Sequence, residues 1–222
     1  FKDTFSEIGN IIKKHNMKIT MHPDQFVVLN SPKEAVVAKS IRELDYHVKV
    51  LDYLGLDSKA KLVLHVGGVY DDKKEAMKRF ITNYKQLSQK IKDHLIIEHD
   101  DKLYSVKDCL YIHEQTGVPI VFDNFHHECL NNGEEEKKAL EAVLKTWNPQ
   151  KDGVPVTHYS SQNLNGPKGK HCDSIDIEHF KKYIENTKDL EFDIMLEIRD
   201  KEQSALETLS ILHTIRKEMS VS

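Results

Sequence analysis

Residues 62–68 read Leu62-Val63-Leu64-His65-Val66-Gly67-Gly68, a short aliphatic and β-branched run interrupted by a histidine. Thirty-three residues after that histidine the pattern returns as Leu95-Ile96-Ile97-Glu98, now closed by a glutamate. Between the two, Asp71-Asp72 precedes Met77, Phe80, Ile81, Tyr84 and Leu87, which share one face at helical spacing. Strand, helix, strand in that order is a βαβ crossover and implies parallel pairing. Outward in both directions the unit recurs. Met17–Met21 runs into His22, Pro119–Phe122 into Asp123, Val154–Thr157 into His158, and Phe192–Ile198 contains Glu197. From His22 to Glu197 the closing residues are spaced 35 apart on average, the length of one βα unit of roughly 30 residues or more.

The helical stretches have readable ends. Asp3 to about His15 carries Phe5, Ile8, Ile11 and Ile12 on one stripe. Ser31 is expected to cap the second helix, with Pro32 at its first position and Glu34 completing a capping box, and Gly55 to stop it. A fourth helix is expected from Ser105 to Gly117. Further patterns cover Glu134–Trp147, Ile177–Asn186 and Glu202–Glu218. A sheet of this kind closes either as an open doubly wound layer or as a (β/α) barrel. No G-x-G-x-x-G follows any strand, which removes the best marker of a dinucleotide-binding sheet.

With 222 residues, 39% hydrophobic and 31% charged, the chain has the composition of one globular domain, and no Pro/Gly-rich linker divides it. No run of about 18 uncharged apolar residues is present, so no membrane partner is expected. Three scattered cysteines, Cys109, Cys129 and Cys172, suit a reducing compartment and lead us to expect the cytoplasm. The formal charge of −4 advertises no nucleic acid, whereas 13 histidines against one tryptophan direct attention to metal and proton chemistry.

In a barrel the C-terminal strand ends converge on one face. His22, His65, Glu98, Asp123, His158 and Glu197 would then share a bowl. A single histidine or carboxylate at a strand end is usually structural, but six in succession point to a polynuclear metal site. Mixed imidazole and carboxylate donors suit Zn, Mn or Fe better than Ca or Mg. A carboxylate can bridge two ions, which makes Glu98 the candidate bridge. His126, three residues past Asp123, and His171, 13 past His158, are further candidate ligands. Cys172, beside His171, is a weaker one. His15, His47, His94, His113, His179 and His213 are expected to be surface groups, and His99 and His127 to face away from the ligands.

The strings carrying these residues resemble the UV damage endonuclease family, relatives of the endonuclease IV and xylose isomerase-like barrels. Met21-His22-Pro23-Asp24-Gln25-Phe26-Val27-Val28-Leu29-Asn30-Ser31-Pro32 is similar to that family's H-P-x-Q-[YF]-x-x-L-x-S-P segment. Leu64-His65-Val66-Gly67-Gly68, Glu98-His99-Asp100-Asp101, Phe122-Asp123-Asn124-Phe125-His126-His127, His158-Tyr159-Ser160-Ser161-Gln162 and Met195-Leu196-Glu197-Ile198-Arg199-Asp200-Lys201-Glu202 follow in the same order.

The resemblance implies a TIM-type α/β barrel holding up to three divalent ions, manganese first, with zinc or magnesium as alternatives. It implies hydrolysis of the phosphodiester immediately 5′ of a pyrimidine dimer or (6-4) lesion in double-stranded DNA. His22, His65 and Glu98 would hold one ion, Glu98, Asp123, His158 and Glu197 a second, and His126 and His171 a third, with Asp173 as a further candidate. Glu98, Glu197 and His65 would be catalytic. Gln25 and Phe26 would probe the lesion, with Phe26 in place of a frequent tyrosine, and Lys168, Lys170 and Arg199 would contact DNA. The family begins with strands not seen here, so we expect a single domain over residues 1–222 with about six parallel strands, N-terminally truncated. No obligate protein partner is implied. An abasic-site endonuclease, a sugar isomerase or epimerase of the xylose isomerase type, and a non-catalytic binding module are the competing readings.

Overall fold

A computed structural model describes the backbone of residues 1–221 and the side chains of residues 1–215. Six strands form one sheet: β1 (Thr20–Met21), β2 (Lys61–His65), β3 (Leu95–Glu98), β4 (Ile120–Asp123), β5 (Val156–Tyr159) and β6 (Asp193–Leu196). They lie in sequence order and every pairing is parallel. The helices are α1 (Lys2–Lys14), α2 (Glu34–Leu54), α3 (Lys73–Gln86), α4 (Gln89–His94), α5 (Val106–Thr116), α6 (Asn124–Cys129), α7 (Glu136–Leu144), α8 (Pro149–Asp152), α9 (Ile177–Thr187) and α10 (Glu202–Val221). At least one helix separates each strand from the next, as the alternation implied, and the sheet is a half-barrel of βα units, the closure implied by the family resemblance.

Strand alternation divides the core in two. Leu62, Leu64, Leu95, Ile97, Ile120 and Phe122 point outward and pack with the helices in the main hydrophobic cluster. Val63, Ile96, Val121 and Val156 point inward and meet Trp147, which plugs the lower end of the half-barrel and donates its indole N–H to the Ile120 carbonyl at 2.7 Å. Two residues further along each strand, the same inner face presents His65, Glu98, Asp123 and His158. The site is therefore the top layer of a column whose lower layer is aliphatic. Beneath it Lys61 is fully buried, paired with Asp152 at 2.5 Å and with the Asp93 carbonyl.

The outermost strands pair on one side only, β1 with β2 and β6 with β5. Below them Lys18 bridges to Asp193 at 2.8 Å. Alternation points Met195 the same way as Glu197 and leaves it exposed on the β6 edge.

Several helix ends follow the sequence reading. Asp72 caps α3 through the N–H groups of Lys74 and Glu75. Ser105 and Asp108 form a reciprocal capping box on α5, and Gly55 and Gly117 take left-handed conformations after α2 and α5.

The start of α2 does not follow that reading. It begins at Glu34 with Lys33 as its cap, and the Ser31 hydroxyl instead accepts the Lys33 N–H. Arg79 and Asn83 of α3 hold the carbonyls of Asn30 and Leu29, so the backbone up to Ser31 stays pinned to the barrel top and helix can form only beyond it. The stretch 134–147 holds α7 alone, and α4, α6 and α8 are short helices that periodicity did not reveal. Not all the remaining histidines are surface groups either. His94 is buried with Nδ1 2.8 Å from the Ala60 carbonyl, and His179 lies between the Tyr159 hydroxyl and Glu128.

Candidate metal centre

Register makes neighbours of the strand-end residues. His65 pairs with Glu98 across β2–β3, and Asp123 with His158 across β4–β5. His22 and Glu197 lie one residue beyond the outermost strands, at the two flanks. Glu98 is the hub. Its Oε2 lies 3.3 Å from His22 Nε2 and 3.7 Å from His65 Nε2, and its Oε1 lies 3.1 Å from His158 Nδ1 and 3.3 Å from His126 Nδ1. His158 Nδ1 also reaches Glu197 Oε1 at 2.9 Å.

Among the described residues two sets of donors fall within 4.8 Å of one another: His22, His65 and Glu98, and Glu98, Asp123, His158 and Glu197. These are the two sets that the family resemblance implied, sharing Glu98. His126 and His171 approach each other, with ring centroids 5.8 Å apart, but form no third set. Asp173 is turned away, accepting from Asn163 and Arg199.

The hydrogen bonds around the rings fix which nitrogen is offered. Nδ1 of His22, His126 and His171 each faces a main-chain carbonyl, of Pro23, His99 and Glu197 respectively, at 2.9–3.2 Å. A carbonyl only accepts, so Nδ1 carries the proton and Nε2 is left for a ligand, the arrangement typical of histidines that bind metal. Asp123 uses Oδ1 to cap α6 through the His126 N–H at 2.8 Å, while its buried Oδ2 has no hydrogen-bond partner. A buried carboxylate oxygen left unpaired beside other donors fits a cation.

The electrostatics agree. Burial raises the Glu98 carboxyl, but the charge of His158 and hydrogen bonds from His126, His158 and His22 outweigh it and hold Glu98 well below the ordinary carboxylate range. Burial lowers His126, yet Glu98 and Asp123 raise it to about 10. Burial likewise opposes the charged form of His158, which Glu98 and Glu197 hold well above its ordinary value. Protonated imidazoles thus balance the carboxylates at the positions where bound cations would do so.

The remaining sequence candidates surround this bowl. Gln25 and Phe26 are exposed on the loop after His22, with Phe26 76% accessible. Lys168 and Lys170 are exposed on the β5–α9 loop and Arg199 on the β6–α10 loop. Two residues were missed. Asn124 exchanges two 3.1 Å hydrogen bonds with the Ser160 backbone and so ties the ends of β4 and β5 together. His99 contacts both Asp123 and His126. Their only signal in the sequence was adjacency to a candidate ligand.

A family model described as UV-endonuclease UvdE matches residues 1–222. The chain belongs to the UvdE family. A UV DNA damage endonuclease from Clostridium perfringens (strain 13 / Type A) is 42% identical over 221 residues, covering 99% of this chain and 54% of the relative. The chain thus spans about half the length of that curated relative. The crystal structure of SacUVDE superposes with a TM-score of 0.91 at 43% identity, over 97% of this chain and 72% of that one. An L-ribulose 3-epimerase structure shares the fold alone, at a TM-score of 0.63 and 15% identity over 87% of this chain and 66% of that one.

Proposed function

We propose that residues 1–222 form one barrel-type domain carrying the metal centre of a UV damage endonuclease, which hydrolyses the DNA phosphodiester immediately 5′ of a pyrimidine dimer or (6-4) photoproduct. The observation that carries the reading is Glu98: a fully buried carboxylate shared by two donor sets at the convergent strand ends of a UvdE-family chain. His22, His65 and Glu98 would hold one divalent ion, and Glu98, Asp123, His158 and Glu197 a second, with His126 and His171 available to a third. Manganese is the first candidate. Such ions supply Lewis acidity toward the phosphate and a more acidic attacking water.

The chain's own groups divide the remaining work. Glu98 stays ionised and holds the two donor sets together. Glu197 and His65 are about one-third exposed and face the open side of the bowl. Burial raises Glu197, but the His158 hydrogen bond brings it below its ordinary range, so it is ionised and placed to accept a proton from water. Phe26 offers an apolar face to bases extruded or unstacked at the lesion, beside Gln25. Lys168, Lys170 and Arg199 position the phosphate backbone, in a reducing cytoplasm where DNA repair operates.

The test is Mn2+-dependent nicking of supercoiled plasmid carrying UV lesions, against plasmid carrying abasic sites. We expect incision of the UV plasmid first, and Phe26→Ala to weaken it by roughly 1–3 kcal/mol of lost stacking with metal content unchanged. Preference for abasic plasmid would assign the site to an abasic endonuclease.

A further inference from the structure

His99 and His127 lie outside both donor sets and are all but inaccessible. Because His99 follows Glu98 directly, strand alternation turns its ring to the other side, against Phe122, with centroids 5.5 Å apart. From there the ring holds one candidate ligand, and the main chain of the same residue holds another. The Asp123 main-chain N–H donates to its Nε2 at 3.0 Å, and its own carbonyl accepts from His126 Nδ1 at 3.0 Å.

The tautomers follow. An amide only donates, so His99 Nε2 is the lone pair and its proton sits on Nδ1, where it has no partner among the described residues. His127 stands perpendicular to His99, with centroids 6.4 Å apart. Its Nε2 lies 3.3 Å from the Glu134 carbonyl and must donate, so its Nδ1 is a lone pair, also buried and unpartnered. A buried donor and a buried acceptor thus stand on adjacent rings.

We propose that the His99 ring, packed against His127, is a positioning group that fixes the Asp123 backbone so that Asp123 Oδ2 is presented to metal. The proposal rests on the reading of Asp123 as a ligand. It gives a role to an imidazole expected from the sequence to face away from the ligands: it does face away, and it acts from behind.

The test is Mn2+ binding to the metal-stripped full chain by titration calorimetry, with far-UV circular dichroism as the control for folding. The parent should bind, and Asp123→Asn should bind weakly or not at all. If either expectation fails, the ligand assignment itself is wrong, independently of His99. Given both, His99→Phe, which keeps a ring but loses the acceptor, should weaken Mn2+ by about 10–100-fold, the usual effect of losing a group that orients a ligand. His99→Gln, whose Oε1 can accept the Asp123 N–H, should recover affinity to within a few-fold of the parent. Parent-like binding by His99→Phe, or a His99→Gln as weak as His99→Phe, overturns the proposal. If His99→Phe does not fold, His99→Met against His99→Gln makes the same comparison. Loss of the fold in all three variants would contradict a role confined to positioning.

Discussion

Glu98 is a fully buried carboxylate with four imidazoles in front of it, from His22, His65, His126 and His158. In the metal-free chain, protons on His126 and His158 supply positive charge beside it. Glu98, through its hydrogen bond, raises His22 against the opposing effect of burial, as it helps to raise His126 and His158. A histidine must lose its proton to coordinate through that nitrogen or to relinquish the ion pair. Metal binding near neutrality should therefore release protons, and affinity should rise with pH. Titration calorimetry at pH 7.5 in two buffers of different ionisation enthalpy should report about one or more protons released per chain, and none released would count against the protonated cluster. The stability of the metal-free chain should move the other way. For His126, raised to about 10 when folded, the contribution is fully present below the unfolded histidine value of about 6.5 and is lost as pH climbs through the folded value. The ligand types were legible in the sequence because each closes an apolar run. The tautomers and the unpaired Asp123 Oδ2 were not, since both depend on main-chain partners distant in sequence.

At the scale of elements, apolar runs alternating with helical patterns were enough to bring the closing His, Glu and Asp residues to one end of parallel strands, whereas the aliphatic layer beneath them, Val63 under His65 and Ile96 under Glu98, is visible only in the structure. Boundaries were harder wherever a neighbour overrides local propensity. The start of α2 is displaced by Arg79 and Asn83, and α6 springs directly from β4 because the Asp123 carboxylate is both candidate ligand and helix cap. The helix α1 shows a contact that no pattern announces. A methyl group added at Gly9 would lie 1.9 Å from the Leu54 carbonyl oxygen at the end of α2. Helix propensity favours alanine over glycine by up to about 1 kcal/mol, but this overlap with backbone forces the helices apart, at about 1–3 kcal/mol for overpacking. Gly9→Ala should lower Tm by several degrees, at roughly 2–4 °C per kcal/mol for a chain of this size. A Tm at or above that of the parent would show that α1 can move off α2 freely.

At the scale of the molecule, a chain of net charge −4 concentrates carboxylates and histidines at one end of a half-barrel, while Trp147 and the Lys61–Asp152 pair seal the other. The repeat of strand, ligand and helix made that polarity readable from the residues alone, because six units of similar length leave few parallel topologies open. Glu98 was already the candidate bridge in the sequence, and the two donor sets meet at that residue, on which the proposed metal centre would depend. Bridged ions lie about 3.5–4 Å apart and repel strongly unless an anion lies between them, so the shared carboxylate should decide whether two can be held. The decisive measurement is the number of Mn2+ ions bound per chain at equilibrium, by dialysis and elemental analysis, in the parent and in Glu98→Gln. At least two are expected in the parent and no more than one in Glu98→Gln. Equal stoichiometry in the two proteins would contradict the bridging role of Glu98.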